Sequence, residues 1–314
     1  MASLQAAEGS PDLALRSAAG GGGSELRDFW ILVKPSVMQL VVFTAWVALY
    51  LAPAQPHPVM AFTAILCIAL GAGAAAAINN WFDSDIDGSM GRTRLRPTVN
   101  GRVDPAEALG FGIALSIISV MTMGLAVNWL AASLLAFTIA FYVLVYTMWL
   151  KRRTPQNIVI GGAAGAFPPL VAWAAATGTV DMLPVLMFLI IFLWTPPHFW
   201  ALALYRSADY ARVDVPMLPV VAGRLSTRRH ILGYCLLLLP VSLAPCVWGG
   251  LGLVYGAGAL ALNLVFTGYA WKLLRDDSDR TAMLTFRFSL VYLFALFGLM
   301  AADRAWGLGW GVFA

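Results

Sequence analysis

Long runs of apolar residues alternate with short polar segments along most of the chain. Most of these runs approach the ~20 residues that an α-helix needs to cross the hydrocarbon core of a bilayer. The strands of a membrane barrel would be shorter and would alternate polar with apolar positions. We therefore predict an all-α, polytopic membrane bundle of nine transmembrane helices. Their approximate limits are residues 29–52, 59–80, 106–127, 129–150, 157–177, 183–204, 230–249, 251–273 and 286–305.

The composition supports this class and excludes a soluble domain. Mean hydropathy is +0.78, and charged residues make up 11% of the chain, about half of the share usual for soluble domains. A soluble fold could not hide so much apolar surface. Residues 1–24 are small and polar, with no continuous apolar run, so we expect a disordered tail rather than a secretory signal. A single intramembrane domain is expected over residues 25–314.

Basic residues fall almost entirely on one side of the predicted bundle. The N-terminal segment, the connections after even-numbered helices and the adjoining helix ends contain all of the 20 Lys and Arg residues except Arg304. The positive-inside rule therefore predicts a cytoplasmic N-terminus and a periplasmic C-terminus. On the opposite side the ionisable residues are His57, Asp181, Asp303 and Arg304. This one-sided distribution disfavours a transporter, which needs polar groups along its path.

The polar sequence Asn-Asn-Trp-Phe-Asp-Ser-Asp-Ile-Asp ends the second predicted helix. Within it Asn79, Asp83 and Asp87 are four residues apart, so on a helix their side chains share one face. Asp85 falls elsewhere around the helix and ranks lower. Mg²⁺ in proteins takes one or two carboxylates and completes its octahedron with water and substrate phosphates. The spacing predicts a divalent-cation site, and the alternative is a solvated acidic loop.

Basic residues adjoin this motif at three points. Arg92, Arg94 and Arg96 follow it directly, and guanidinium groups form bidentate hydrogen bonds with phosphate. A Lys-Arg-Arg triplet at residues 151–153 ends the fourth helix, and Lys34 lies just inside the first. With the acidic face they predict a site for a metal-bound polyphosphate. The alternatives are a topogenic cluster at 151–153 and a Lys34 side chain that snorkels to the membrane surface.

A second polar segment closes the sixth helix. Tyr205 and Asp209 are four residues apart and can share a helix face, whereas Asp209 and Asp214 lie roughly 140° apart around a helix. We therefore favour Asp209 as the partner of the first motif and interpret Asp214 as a solvated charge. His198 lies within the same helix, after two prolines. An intramembrane histidine serves as a haem ligand, a proton carrier or a hydrogen-bonded core residue. The sequence around His198 does not choose among these three roles.

These segments together resemble those of a known family. The spacing of Asn79, Asp83 and Asp87, followed by Arg-Thr-Arg-Leu-Arg-Pro, is similar to the first acidic motif of the intramembrane aromatic prenyltransferases, the UbiA superfamily. Residues 150–170, 194–205 and 209–223 resemble more narrowly its protoheme IX farnesyltransferase subfamily. The resemblance covers roughly residues 27–305.

The resemblance implies a nine-helix bundle in the bacterial cell inner membrane, with a cytoplasmic-side active site. Farnesyl diphosphate would bind through Mg²⁺, and its farnesyl group would join a vinyl carbon of haem B. Water addition then gives haem O, and diphosphate leaves. Haem O serves terminal oxidases directly or is converted to haem A, so a haem A synthase is a candidate partner. The lipid bilayer is the surrounding medium, and no nucleic-acid partner is expected.

The same resemblance implies roles for individual residues. The metal-binding and catalytic set is Asn79, Asp83, Asp87 and Asp209. The diphosphate-binding set is Lys34, Arg92, Arg94, Tyr146, Lys151, Arg152, Tyr205 and Arg206. His198 is implied as a haem contact. The chain departs from the family pattern at three positions: Gly91 replaces a lysine, Ser36 replaces an arginine, and Asp214 stands where a small residue is usual.

Two other functions remain open on the sequence alone. One alternative is an enzyme of the same reaction type whose prenyl acceptor is a quinone-ring precursor. A transporter of a polyphosphorylated or porphyrin substrate is the non-enzymatic alternative, and the scarcity of charge on the far side argues against it.

Overall fold

The computed structural model describes residues 25–91 and 93–306, and this part of the chain is helical without strands. The predicted tail and Arg92 lie outside the described residues. A π-helical segment, Phe141–Leu150, continues α6. The α-helices are α1 Leu26–Leu32, α2 Pro35–Leu51, α3 Pro58–Phe82, α4 Ser84–Asp87, α5 Pro105–Ala126, α6 Trp129–Ala140, α7 Asn157–Ala166, α8 Pro168–Thr177, α9 Met182–Tyr205, α10 Ser207–Ala211, α11 Leu218–Val221, α12 Gly223–Trp248, α13 Leu253–Arg275 and α14 Asp279–Ala305.

The membrane-spanning helices agree with the predicted number. Among the described residues, eight helical stretches are long and apolar enough to cross a bilayer, and the bent pair α1–α2 makes nine if it forms one span. Two of the eight are composite, because α6 continues into the π-helical segment and α7 continues into α8. The predicted all-α membrane bundle is therefore confirmed, and the orientation of its termini stays a prediction.

The first span differs from its prediction as one helix over residues 29–52. It is broken at Lys34, and α1 and α2 meet at an angle of 58°. Pro35 explains the break, because proline has no N–H to donate and disfavours helical backbone in the preceding residue. Lys34 takes a left-handed conformation, with φ 54° and ψ 66°. That conformation costs a non-glycine residue on the order of 1 kcal/mol, so other contacts must hold Lys34 in place.

Two helices begin earlier in the chain than predicted. Helix α12 begins at Gly223 rather than at residue 230, and α14 begins at Asp279 rather than at residue 286. The first turns of both helices carry charged residues that hydropathy assigns to loops. The start of α14 has a local signal, since the Ser278 hydroxyl caps it by accepting a hydrogen bond from the Thr281 N–H.

Close packing of α5 on α3 fixes the end of the helix that carries Asn79. Helix α3 is rich in small buried residues near that end, among them Ala74 and Ala77. A Cβ atom added to Gly112 of α5 would lie 2.5 Å from Ile78 Cγ1 and 3.1 Å from the Ala74 carbonyl oxygen. The two backbones therefore approach too closely for any side chain at Gly112, as small-residue contacts between membrane helices allow.

Hydrogen bonds between buried polar side chains join the last three spans. Asn263 Nδ2 donates to Ser242 Oγ at 2.6 Å, and the Tyr292 hydroxyl donates to Asn263 Oδ1 at 3.2 Å. The buried Asp303 carboxylate accepts from the N–H groups of Gly252 and Tyr255, at 2.7 and 3.2 Å, and so caps α13. Polar groups inside a bilayer must find such partners because the lipid offers none.

The contact at Gly112 can be tested against a neighbouring glycine. We expect Gly112→Ala to destabilise the protein by about 1–3 kcal/mol, the usual cost of overpacking. Gly110→Ala is the matched control, because nothing lies within 4 Å of a Cβ atom at Gly110 in the same helix. It should be neutral or slightly stabilising, since alanine favours helix over glycine. Thermal melting of the two detergent-purified variants is the measurement, and equal melting temperatures would contradict the packing described.

Candidate active site

Asn79 lies in the last turn of α3, where three spans meet at one end of the bundle. Its side chain is buried. Lys34 Nζ donates to Asn79 Oδ1 at 2.8 Å, and Asn79 Nδ2 donates to Asp83 Oδ2 at 2.7 Å. Asn79 Nδ2 also lies 3.4 Å from Thr147 Oγ1 in the π-helical segment. The break before α2 therefore brings the Lys34 ammonium group to the predicted acidic face, and this contact offsets the cost of its left-handed backbone.

Asp83 is the most buried of the predicted metal ligands, with no exposed surface. Its Oδ2 atom forms an ion pair with Lys151 and accepts the hydrogen bond from Asn79. Its Oδ1 atom lies 3.6 Å from Arg152 Nη2 and has no hydrogen-bond partner among the described residues. A buried carboxylate is costly unless it is paired, so Lys151 is essential to the ligand-free site.

Asp87 completes the predicted face although α3 ends at Phe82. The Asp83 N–H donates to the Asn79 carbonyl at 3.0 Å, and the Asp87 N–H donates to the Asp83 carbonyl at 2.9 Å. These i to i−4 bonds continue the helical spacing through the junction with α4. The Asp87 side chain is buried and forms an ion pair with Arg96.

Asp209, from the second acidic segment, lies against the first. It belongs to α10, and its side chain is 16% exposed between Arg206 and Arg212, at 3.4 and 3.5 Å. A Cβ atom on Gly91 would lie 3.9 Å from Asp209 Oδ2 and 4.0 Å from Oδ1. The fold thus brings Asp209 beside the segment that follows Asp87. Asp214 is instead exposed in a left-handed turn, with φ 50°.

Arg152 and Asp85 form a bidentate pair beside Asp83. Arg152 Nη1 and Nη2 donate to Asp85 Oδ2 and Oδ1 at 2.8 and 2.7 Å, and the guanidinium carbon lies 4.8 Å from the centre of the Phe82 ring. The hydrogen bond from Arg152 is the main reason that the pKa of the Asp85 carboxyl is lowered from its ordinary value. Asp85 is therefore charged at neutral pH and joins the site through Arg152.

The other residues predicted to bind diphosphate differ in how far their side chains are buried. Tyr146 is half-buried in the π-helical segment, and Tyr205 is exposed, with the Arg206 guanidinium carbon 5.1 Å from its ring centre. Arg94 is exposed and follows Asp87 by seven positions in the sequence. Arg92 lies outside the described residues.

His198 is buried in α9 between two aromatic rings. Its ring centre lies 4.3 Å from that of Trp194 and 4.7 Å from that of Phe286, with both pairs stacked. Its Nδ1 atom lies 2.6 Å from the hydroxyl oxygen of Ser289 in α14. The hydrogen bond orients the imidazole and leaves Nε2 as the nitrogen for any further partner.

The oxygen atoms of the site suit Mg²⁺. Within the described residues, no three His, Cys, Asp or Glu side chains converge as a complete metal site. Mg²⁺ needs only one or two carboxylates when water and substrate phosphates supply its other ligands. Asp83 Oδ1 is a buried carboxylate oxygen without a hydrogen-bond partner, next to the amide of Asn79. The residues therefore fit a metal–diphosphate complex better than a cation bound by protein alone.

Several site residues were missed in the predicted sets. Arg96 belongs to the arginine run but not to the expected diphosphate-binding set, and Asp85 is absent from the expected metal-binding set because its helical phase differs from that of Asp83. Thr147 and Asn157 carry no sequence signal, although Asn157 Nδ2 donates to the Lys151 carbonyl at 3.1 Å and so fixes the turn that carries Lys151 and Arg152. The i, i+4 spacing and the neighbouring basic residues are the signals that the sequence offers for this site.

Two glycines of α7 test the position of Tyr146. A Cβ atom on Gly161 would overlap the Tyr146 ring, with Cε2 at 2.9 Å, whereas a Cβ atom on Gly165 meets nothing within 4 Å. We expect Gly161→Ala to raise the KM for the diphosphate substrate about tenfold by displacing this ring. Gly165→Ala, the same change one turn later, should leave steady-state kinetics unchanged. Equal kinetics in both variants would remove Tyr146 from the site.

Comparisons with known proteins identify the family to which the chain belongs. The model of the UbiA prenyltransferase family matches residues 40–312. A protoheme IX farnesyltransferase of Parvibaculum lavamentivorans is 56% identical over 298 residues, which cover 94% of this chain and 94% of the relative.

Solved structures share the fold at lower sequence identity. A structure described for digeranylgeranylglyceryl phosphate synthase superimposes with a TM-score of 0.74 at 17% identity, covering 88% of this chain and 98% of the other. A UbiA homologue from Archaeoglobus fulgidus, bound to DMAPP and Mg²⁺, gives a TM-score of 0.63 at 15% identity, covering 87% of this chain and 99% of the other. The family match covers most of the sequence, and the chain belongs to the UbiA prenyltransferase family.

Proposed function

We propose that this multi-pass membrane protein is a protoheme IX farnesyltransferase. It transfers the farnesyl group of farnesyl diphosphate to a vinyl group of haem B, with addition of water, and gives haem O and diphosphate. The observation that carries the proposal is the 56% identity to a relative of that name over 94% of both chains. The site supports the same reaction, because acidic and basic side chains converge where the apolar helices end.

Asn79, Asp83, Asp87 and Asp209 are proposed to hold Mg²⁺. The A. fulgidus homologue bound to DMAPP and Mg²⁺ has the same fold and supports a metal-dependent site. When bound, the metal supplies positive charge to the diphosphate oxygens. The buried Asp83 Oδ1, which has no hydrogen-bond partner among the described residues, and the proximity of Asp209 to Gly91 support this set of residues.

Lys34, Lys151 and Arg152 are proposed to form the core of the diphosphate clamp. Lys34 donates a hydrogen bond to Asn79, Lys151 neutralises Asp83, and Arg152 neutralises Asp85. As the substrate binds, Lys34 and Lys151 turn from protein oxygens to phosphate oxygens, and Arg152 contacts the phosphates while it stays paired with Asp85. Arg92, Arg94, Tyr146, Tyr205 and Arg206 extend the clamp.

The clamp acts where charge develops in the reaction. The bond between farnesyl C1 and the diphosphate oxygen breaks, and its electron pair stays on the diphosphate, where fixed cations stabilise it. The π-electrons of the haem vinyl group form the new carbon–carbon bond to C1. Water adds to the resulting cation and loses a proton, which leaves the hydroxyl group of haem O. The apolar helices beyond Asp83 keep water away from the allylic cation until that bond has formed.

His198 is proposed as a haem contact through Nε2. The support is its orientation by the Ser289 hydroxyl and its place in a wall of aromatic rings with Trp194 and Phe286, which suits a flat porphyrin.

The enzyme is further proposed to lie in the bacterial inner membrane with this site on the cytoplasmic side. The one-sided distribution of Lys and Arg supports that orientation. A haem A synthase is the proposed consumer of the product.

A reconstituted assay tests the proposal. Purified protein incubated with farnesyl diphosphate, Mg²⁺ and haem B is expected to form haem O, detected by mass spectrometry. Asp83→Asn should lower turnover by about 100-fold or more, the usual effect of removing a group that stabilises transition-state charge. Asp279→Asn is the control, because this exposed carboxylate pairs with Arg224 and lies outside the proposed site.

The same preparations separate chemistry from haem binding. A spectroscopic titration with haem B should give equal affinity for the wild type and Asp83→Asn, and weaker affinity for His198→Ala. Well-folded wild-type protein that forms no haem O would overturn the proposed function. Unchanged haem affinity in His198→Ala would overturn only the role of His198.

A further inference from the structure

Asp85 holds Arg152 in a fixed place although it lies outside the predicted metal face. The Asp85 side chain is 60% exposed in α4, and each of its oxygens accepts one hydrogen bond from the Arg152 guanidinium, at 2.8 and 2.7 Å. Two parallel charge-assisted bonds fix both the plane and the position of a guanidinium group. This geometry differs from that of an isolated surface pair, whose side chains stay mobile.

The end of α3 restrains Arg152 from a second direction. Arg152 Nη2 donates to the Phe82 carbonyl oxygen at 3.1 Å, and the guanidinium lies over the Phe82 ring. The Arg152 side chain is 31% exposed, so part of the group remains accessible to solvent. Asp85 and Phe82 thus leave part of the cation available to a diphosphate.

Asp83 is the other anion within reach of Arg152. The distance from Arg152 Nη2 to Asp83 Oδ1 is 3.6 Å, and Oδ1 has no hydrogen-bond partner among the described residues. The second oxygen, Oδ2, is already taken by Asn79 and Lys151. Oδ1 is therefore the Asp83 oxygen left for a metal ion, and a small movement of Arg152 would occupy it.

We propose that Asp85 is a positioning residue that holds Arg152 towards the diphosphate and away from Asp83 Oδ1. The inference rests on the proposed function, which gives Asp83 and Arg152 their ligands. Without the Asp85 carboxylate, Arg152 loses two charge-assisted bonds, and the unpartnered oxygen of Asp83 becomes its nearest strong acceptor. Arg152 then competes with the metal ion. The consequence is a weaker metal affinity rather than a slower chemical step.

Mn²⁺ binding to the full chain in detergent tests the inference without turnover. Free Mn²⁺ is counted by electron paramagnetic resonance in the presence of inorganic diphosphate and without haem B. We expect Asp85→Asn to weaken Mn²⁺ binding about 5- to 10-fold, the size of effect expected when Mn²⁺ must first displace a hydrogen bond of Arg152 from Asp83 Oδ1. In the haem O assay the Mg²⁺ concentration for half-maximal rate should rise by the same factor. At saturating Mg²⁺ the metal ion displaces Arg152 from Oδ1, so the loss of rate should be smaller than the loss at limiting Mg²⁺.

A double-variant cycle tests whether Arg152 causes the weaker Mn²⁺ binding of Asp85→Asn. In an Arg152→Gln background the competitor is absent, so Asp85→Asn should cause no further loss of Mn²⁺ affinity. Asp279→Asn is the matched control, since it removes a carboxylate of similar exposure, 58%, from its ion pair with Arg224. It should bind Mn²⁺ as the wild type does.

The outcomes separate this inference from the function on which it rests. Wild-type Mn²⁺ affinity in Asp85→Asn would overturn the inference and leave the proposed metal site intact. Equal weakening with and without Arg152 would also overturn it, because Asp85 would then act directly on the metal. Absence of Mn²⁺ binding by the wild type would overturn the proposed metal site, and the inference with it.

Discussion

The fully buried carboxylate of Asp83 is the constraint on which the rest of the site depends. A charge at the end of an apolar helix is tolerated only when it is paired and hydrogen-bonded. Its partners come from different parts of the chain: Asn79 from α3, Lys151 from the turn after the π-helical segment, and Lys34 indirectly through Asn79. Satisfying one carboxylate therefore joins three spans at one end of the bundle. The left-handed backbone of Lys34 and the close contact of α5 with α3 both serve this junction.

The charged residues of the site balance one another in ion pairs. Asp83 pairs with Lys151, Asp87 with Arg96, Asp85 with Arg152, and Asp209 with arginines of its own segment. Under the proposed function, a metal ion and a diphosphate bring complementary charges, and Lys151 exchanges Asp83 for the phosphates while Asp85 keeps its hold on Arg152. Carboxylates then face the metal and cations face the phosphates. Such an exchange keeps the buried charges neutralised at every stage, which matters because the surrounding helices offer no water.

The sequence predicted the parts of this arrangement that follow from regular helical spacing. Runs of apolar residues predicted the spans, the i, i+4 spacing predicted the face shared by Asn79 and Asp83, and helical phase favoured Asp209 over Asp214. The same reasoning ranked Asp85 low, because its contact with Arg152 joins residues 67 positions apart. Hydropathy also missed the break at Lys34 and the charged first turns of α12 and α14. Pro35 and the Ser278 cap are local signals for the break at Lys34 and the start of α14, but hydropathy does not detect them. The contact of Asp85 with Arg152 is a long-range charge pairing that no local pattern records.

Exchange of partners at Asp83 is the central claim, and Lys151→Gln tests it most directly. Lys151 competes with a metal ion for Asp83 in the ligand-free site but assists the diphosphate in the bound site. The account therefore predicts opposite effects on two affinities, each measured on purified protein without haem B. Mn²⁺ alone should bind more tightly to the variant, and farnesyl diphosphate with saturating Mn²⁺ should bind roughly tenfold more weakly, equivalent to about 1.4 kcal/mol. Weaker binding of Mn²⁺ alone, or unchanged binding of the diphosphate, would contradict the account.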